Sequence, residues 1–495
     1  MEKIFKIQGI LFILFLTSCS GILIVNPPDQ ISQTSFWKTP SDAQYGLDGV
    51  YSRLKTPGFG FSCFNYNVGF NDVLGGDLYR NSLDFLTIAQ GNADVNSGLV
   101  SSTWAFCYRG IASCNIFLAN IDNITTMPDT DRKMFKGRVC FLRALFYHML
   151  ADYYGGVPLY LKPVDGETAK VKQSTKDQVV AAILADLNYA ISVLPEVLYN
   201  GYAVRGSARA LRGKVLLYNH RFAEAAAALD SVIQTSIYSI YNGGFPNIFL
   251  KVGQVNNPEI LFSTKYSQPN DISNQDRVLT RFATGVPYQS LVDEFEYKGT
   301  PNPNNIFENR DPRCRYTIRL SSEPYVRSDG FSMMIPHDGV SFNGYQLNKA
   351  MNVDNIPTAT NISDEDWPLI RYADVLLMYA EAKNEVSGPD QSVYNAINAV
   401  RSRKDIMMPT YATGSLTKDQ MTEKIRHERR VEFVFEGYRY SDIRRWGIAK
   451  QILEAVQYPG GAKGVFDNAK NNVFPIPQAE RDLNPKLDQN PGYAK

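Results

Sequence analysis

The stretch "RHERRVEFVFEGYRYSDIRRWG", Arg426 to Gly447, packs six arginines, four carboxylates and five Phe, Tyr or Trp rings into 22 positions of a chain whose formal net charge is only +1. At helical period, Val431, Val434, Phe435 and Tyr438 share one apolar face, while Phe433 and Tyr440 point elsewhere. A helix that is apolar on more than one side belongs inside a fold. Glu428 and Glu432 fall on the row that runs from Ile425 to Phe435. Their carboxylates are therefore expected inside, where an unpaired charge costs several kcal/mol. Arg429 with Glu432, Glu436 with Arg439, and Asp442 with Arg445 are each three apart, within reach on one helix face. The stretch reads as a structural ion network of Glu428, Arg429, Glu432, Glu436 and Arg439 bracing an interior, in preference to a catalytic apparatus or an anion-binding surface.

Helical patterning extends outward from it. Thr417 and Gln420 form a capping pair just upstream. In "IRYADVLLMYAEAKNEV", Tyr372, Val375, Leu376, Tyr379 and Ala382 share a face, and another helix is expected from Val393 to Arg401. Trp104, Tyr108, Ile111, Asn115 and Leu118 form one stripe, which reads Trp104 as core; Phe135, Val139, Leu142, Phe146, Met149 and Tyr153 form a second. A third, Val180 to Leu194, begins after a capping pattern at Thr175 and Gln178 and stops at Pro195. "SARALRGKVLLYNHRFAEAAAALDSVI" gives two amphipathic helices joined around Asn219-His220-Arg221. That is the helix-turn-helix unit of tetratricopeptide-like repeats, without their roughly 34-residue self-similarity. From Tyr238 to about Pro368 periodicity fades and turn pairs such as Asn242-Gly243 and Asp329-Gly330 appear, so ordered loops without helices of their own are expected. The tail "NNVFPIPQAERDLNPKLDQNPGY" lacks helical period and is expected to lie extended across the folded body.

With 44% hydrophobic and 12% aromatic residues over 495 positions, the chain can bury a large core. Lys+Arg 51 against Asp+Glu 50 leaves none of the basic excess expected of a nucleic-acid binder. At the N-terminus, Lys3 and Lys6 precede an apolar run from Ile7 to Leu16, shorter than the ~20 residues of a membrane-spanning helix. It reads as a secretory signal over residues 1–18, ending in Leu16-Thr17-Ser18-Cys19, a lipoprotein box whose cysteine takes the acyl chains. Residues 19–34 would then be a lipidated tether, and two or more acyl chains anchor stably. Cys63, Cys107, Cys114, Cys140 and Cys314 show no C-x-x-C pair and read as buried free thiols.

Bond-breaking chemistry finds little support. His148, His220, His337 and His427 are scattered, no H-E-x-x-H or G-x-S-x-G occurs, and no metal or cofactor set is expected. Gly58-Phe59-Gly60 and "GGAKG" at 460–464 are incomplete as nucleotide loops and read as turns. The acidic runs Asp364-Glu365-Asp366 and Asp293-Glu294 are expected on a solvated surface. Binding a sugar requires aromatic faces for its C–H surfaces and planar polar groups for its hydroxyls. Two stretches offer them. "NDVLGGDLYRNSLDF" supplies Asn71, Asp77, Tyr79, Arg80 and Asn81; "GVPYQSLVDEFEYKG" and "SFNGYQLNK" supply Tyr288, Tyr297 and Tyr345.

The segments "SQTSFWKTPSDAQYGLDGVYSRL", "WAFCYRGIASCNIFLANI", "FLRALFYHMLADYYGGVPLYL", "RYADVLLMYAEAKNE", "ERRVEFVFEGYRYSDIRRWG" and "VFPIPQAERDLNPKLDQNPGY", in this order, resemble the SusD/RagB family of outer-membrane lipoproteins. The resemblance implies an all-α fold with minor β, in which tetratricopeptide-like helix pairs scaffold a long loop-rich ligand-binding region. It implies an N-terminal half over residues 35–270 and a C-terminal half over 271–495, packed as one globular body. It further implies a non-enzymatic protein that binds oligosaccharide and passes it to a SusC-like TonB-dependent transporter. A peptide-binding member of the same family and, further off, a surface glycoside hydrolase are the alternatives. The acidic residues common just after the lipidated cysteine of surface-displayed relatives are missing from Ser20 to Val25, which leaves the cell surface and the periplasmic face both open.

Overall fold

The computed structural model describes residues 36–55, 64–273, 275–281, 285–334, 342–356 and 363–494. The signal segment, Cys19, Cys63, the Gly58 turn and His337 lie outside them.

Helices α1 (Pro40–Tyr51), α2 (Gly98–Asn120), α3 (Asp129–Tyr154), α4 (Lys176–Val193), α5 (Arg205–Tyr218) and α6 (Phe222–Ile233) occupy the N-terminal half. The stripes read from sequence are their buried faces, and the Thr175–Gln178 capping box forms at the start of α4 as expected. From α2 to α6 each helix packs on the next. The α5–α6 pair is joined by Asn219-His220-Arg221, with His220 in the left-handed region at φ 57°. It is packed so closely that a Cβ on Gly213 would sit 2.5 Å from Leu229. In space the stack continues with α7 (Tyr372–Ser387), which packs on α6, then α8 (Gln391–Arg401) and α9 (Lys418–Glu432). Among the described residues the loop-rich region is therefore an insertion between two helices in contact.

That region is held by short two-stranded antiparallel ladders: β1 (Leu78–Tyr79) with β3 (Val286–Pro287), β2 (Ile260–Thr264) with β8 (Trp367–Arg371), β4 (Ile318–Leu320) with β7 (Tyr345–Leu347), and β5 (Tyr325–Val326) with β6 (Ser332–Met333). The last closes over the Asp329-Gly330 turn read from sequence. Contrary to expectation the region has helices of its own, Gln275–Arg281, Gln289–Glu294 and Pro312–Thr317. At six or seven residues each they span under two turns, too few to register as a 3.6-residue period.

The opening stretch is not one helix. α9 ends at Glu432, Phe435 (φ 62°) and Gly437 (φ 83°) turn the chain, and α10 resumes over Arg439–Arg445. A side chain at Gly437 would lie 2.5 Å from the Val68 carbonyl oxygen, so both its dihedral and its surroundings require glycine. The expected Arg429–Glu432 pair, although both residues lie on α9, gives way to partners on other elements, and the break separates Glu436 from Arg439, while Asp442–Arg445 forms at 2.8 Å. Arg429 reaches Asp374 and Asp442, both at 2.9 Å. Glu432 accepts from Arg313, Arg371 and Arg403, each at 3.0 Å. Glu428 is shared by Arg313 (2.6 Å) and Arg401 (2.7 Å), and Glu436 by Arg371 and Lys349, both at 2.6 Å. Glu259 closes the set on Arg371 and Arg403, and Asp311 on Arg313. The cations Arg313, Arg371, Arg401, Arg403 and Lys349 thus balance the carboxylates Glu259, Asp311, Glu428, Glu432 and Glu436, all buried. Such mutual neutralisation is the condition under which charges persist inside a protein.

Cys114, Cys140 and Cys314 are free thiols and, like Cys107, are buried. Burial pushes the Cys140 thiol up to about 12 and Cys314 to about 11, which keeps them uncharged and inert. The tail runs over the helical body, interrupted by α11 (Gln478–Leu483). Phe474 stacks on Tyr153 with centroids 5.0 Å apart, and Asn490 Nδ2 donates to the Tyr154 carbonyl at 2.9 Å.

Candidate functional site

Sequence patterning placed potential sugar-contacting aromatics on two distant segments, and the β1–β3 ladder brings them together by pairing Tyr79 with Val286 and Leu78 with Pro287. The Tyr79 ring stands edge-on to Phe342 at 5.3 Å and to Tyr288 at 6.5 Å, and Tyr288 lies 5.9 Å from Phe342. Phe342 is 40% exposed and Tyr79 half-buried, so the cluster presents ring faces and edges to solvent. Tyr345 on β7 joins through its hydroxyl, which donates to Gln289 Oε1 at 3.1 Å, and Asn343 Nδ2 donates to the Pro287 carbonyl at 2.8 Å. The Tyr288 hydroxyl sits buried at the base of the cluster with no hydrogen-bond partner among the described residues. Burial raises its pKa, with nearby Tyr458 adding to the effect, so it stays a neutral O–H that can donate to a ligand oxygen. Burial likewise raises Tyr345.

The other sequence candidates divide. Arg80 lies half-buried with its guanidinium 4.3 Å above Phe70 and 5.0 Å from Phe85, and Asn81 is exposed next to it. Asn71 and Asp77 are not at the surface. Asn71 Nδ2 donates to the Tyr153 hydroxyl at 2.7 Å, and Asp77 pairs with Arg430 at 2.7 Å and Arg439 at 3.6 Å. Tyr297 lies under Arg310, 4.2 Å from ring centroid to guanidinium carbon. Sequence reasoning passed over Phe342, Asn343 and Gln289, although all three stand in the stretches that supplied Tyr345 and Tyr288. The usable signal was Asn343-Gly344, a turn pair holding an aromatic residue on either side.

Electrostatics tie this patch to the opening stretch. Arg430 of α9 spans Asp77, just ahead of β1, and Glu294 (2.5 Å), at the end of the helix that begins after Tyr288. His427, one turn earlier, contacts Glu294 at 2.7 Å and Glu296 at 3.7 Å. Burial opposes its charge, but the hydrogen bonds to Glu294 and Glu296 prevail and raise it to about 9. Burial would raise Glu294; His427 and Arg430 instead bring it down to about 2. A charged clamp on α9 thus fixes the two segments that carry Tyr79 and Tyr288.

The acidic run expected at a solvated surface is largely inside, with Glu365 and Asp366 each 1% exposed. Asp366 accepts from the Tyr266 amide at 2.8 Å and from Lys265. Glu365 is raised to about 7, first by burial and then by Asp276. Asp276 is itself held by Asn352, Asn355 and Ser363. Among the described residues no cluster of three or more His, Cys, Asp or Glu could hold a metal ion, and no helix is long and apolar enough to cross a membrane.

Comparison with known proteins gives a consistent set of relatives. A family model described as "SusD family" matches residues 258–493, and one described as "Starch-binding associating with outer membrane" matches residues 65–215. The SusD-like protein P38 of Formosa agariphila is 26% identical over 533 aligned positions, covering 99% of this chain and 100% of that protein. A crystal structure of a SusD-like carbohydrate binding protein from Bacteroides fragilis superposes with a TM-score of 0.82 at 24% identity, covering 92% of this chain and 100% of that one. Surface glycan-binding protein A from Bacteroides thetaiotaomicron, solved in complex with laminarihexaose, gives 0.74 at 19% identity, again over 92% and 100%. At these identities the solved structures establish a shared fold.

Proposed function

The chain belongs to the SusD/RagB family, and from that premise we propose that it binds oligosaccharide at the patch formed by Tyr79, Tyr288, Phe342 and Tyr345. The observation that carries this reading is the cluster itself, three rings within 5.3 to 6.5 Å of one another, with Tyr79 and Phe342 reaching solvent over a buried Tyr288, Gln289 beside it in sequence, and Arg80 and Asn81 next along the chain from Tyr79. Pyranose C–H faces pack against aromatic rings, and hydroxyls pair with amides, guanidinium and the free Tyr288 hydroxyl. A structural neighbour holding laminarihexaose makes β-glucan fragments the first ligands to try.

The reading extends to a protein that captures without breaking bonds. Lipidated at Cys19 after removal of residues 1–18 and tethered by 19–34, it would sit at the outer membrane and hand ligand to a SusC-like TonB-dependent transporter. Tethering raises the ligand concentration beside the pore with no need for catalytic groups. Residues 35–270 and 271–495 act in this scheme as two halves of one body, and the clamp of Arg430 on Asp77 supports their packing together.

Affinity electrophoresis of the mature protein through a panel of polysaccharides, laminarin included, tests it. Retardation by at least one glycan, abolished in Tyr79→Ala and Tyr345→Ala variants of unchanged melting temperature, is expected. Peptide binding with no glycan retardation would move the assignment to the peptide-binding branch. Hydrolysis of a polysaccharide, lost on replacing a single acid, would make the protein an enzyme.

A further inference from the structure

A cavity of about 470 Å³ opens between α2, the loop at 158–170 and the tail around α11, and shares no lining residue with the aromatic patch. Its volume falls in the range of small-molecule sites, roughly 300–1,000 Å³. Trp104, Tyr108 and Ile111 of α2, Tyr160 of the loop, and Glu480 and Leu487 of the tail form its walls. The stripe that reads as core in sequence is buried as expected, with Trp104 3% and Ile111 1% exposed, and also forms one wall of this cavity.

The walls are fixed without any ligand. Tyr108 donates to the Pro158 carbonyl at 2.7 Å and Tyr160 to that of Ala169 at 2.6 Å. Asn115 Nδ2 donates to the carbonyls of Tyr160 and Lys162, and Arg143, itself paired with Asp186 at 2.7 Å, holds the Leu161 carbonyl. Asn484 ties the tail to the Val171 carbonyl at 2.7 Å. These bonds engage the tyrosine and asparagine side chains of the walls and leave a mainly apolar lining to which Lys162 and Lys170 add cationic side chains, and at the rim Ile116, Val164 and Leu483 are 38%, 45% and 70% exposed. Glu480 is the one acid on the wall. Burial raises its pKa, opposed by a hydrogen bond from Trp104, and a carboxylate has lone pairs for further donors.

We propose that this cavity is a second ligand site, one that takes a small aromatic molecule carrying a hydrogen-bond donor, its ring against Trp104, Tyr108 and Tyr160 and its O–H or N–H on the Glu480 carboxylate. A sugar fits less well, because the tyrosine and asparagine donors of the walls are committed to backbone carbonyls and its several hydroxyls would have to share Glu480, Lys162 and Lys170. A ring system with one donor leaves nothing unsatisfied.

Isothermal titration of the mature protein with 2-naphthol and with 2-methoxynaphthalene, which keeps the rings but cannot donate, tests the proposal. The expected result is saturable one-to-one binding of 2-naphthol and about tenfold weaker binding of the ether, the effect of losing one charge-assisted hydrogen bond. Glu480→Gln should bring the two probes closer together. Ala112→Trp fills the cavity from an exposed position on α2 and should abolish binding of both at unchanged melting temperature. Non-saturable binding, equal affinity for the two probes in the wild type, or full binding in Ala112→Trp would overturn it. So would loss of laminarihexaose binding in Ala112→Trp, which would assign the cavity to glycan.

Discussion

Replacing Glu432 by alanine isolates the contribution of the buried ion network. The carboxylate is fully buried and accepts one hydrogen bond each from Arg313, Arg371 and Arg403, every one at 3.0 Å. Burial alone would raise its pKa, but Arg403, Arg371 and Arg313 outweigh that and hold it well below the usual carboxylate range. Removing it leaves three guanidinium groups short of one negative charge, and breaking a buried pair typically costs about 3–5 kcal/mol. An unfolding entropy of roughly 2 cal/mol/K per residue over 495 residues makes one degree of melting temperature equivalent to about 1 kcal/mol. Glu432→Ala should then melt about 3–5 °C lower by calorimetry, and Glu432→Gln, which keeps an acceptor, should fall between it and the wild type. Because Glu432 touches neither the aromatic patch nor the α9 clamp, glycan affinity of the folded variant should stay at the wild-type value. A variant that melts normally would refute the energetic argument, and one that melts normally but no longer binds would make the stretch a binding site.

Other perturbations probe separate links. His427, raised to about 9 against an unfolded value near 6.5, contributes stability that is complete below pH 6.5 and lost as pH rises to 9. Urea titrations across that window should show a decline of up to about 3 kcal/mol that His427→Gln flattens; a flat wild-type profile would contradict the charged clamp. Arg430→Met removes the link between Asp77 and Glu294 and should weaken glycan binding more than it lowers the melting temperature, since it positions Tyr79 and Tyr288 without contacting ligand. Gly213→Ala should cost about 1–3 kcal/mol by forcing α5 from α6, where the added methyl would lie 2.5 Å from Leu229, and chemical denaturation measures it.

What the sequence disclosed follows the range over which each signal acts. The capping boxes at Thr175–Gln178 and Thr417–Gln420 are three-residue devices, and both are legible and present. The α5–α6 pair is similarly local. The need for buried partners around Glu428 and Glu432 could be read from helical period, but their identity could not, because Arg403, Arg371 and Arg313 lie 29, 61 and 119 residues from Glu432. The break at Phe435 also escaped periodicity, since the apolar residues beyond it are buried whether or not the helix continues. At the patch, Tyr79, Tyr288 and Tyr345 could be nominated by type, whereas their meeting depends on a two-residue ladder too short to leave a pattern. Asn71 and Asp77 sit in the same segment as Tyr79 yet face inward, a distinction that composition does not make. Trp104 and Tyr108 fit a core stripe equally well whether they pack on protein or line an open cavity.

A crystal structure of the mature protein with a retained oligosaccharide tests the central claim most directly. The account predicts sugar rings lying across Tyr79, Phe342 and Tyr345, with a hydroxyl on Tyr288 and the Glu428–Glu432–Glu436 network unchanged beneath. Sugar bound elsewhere, or in contact with that network, would contradict it.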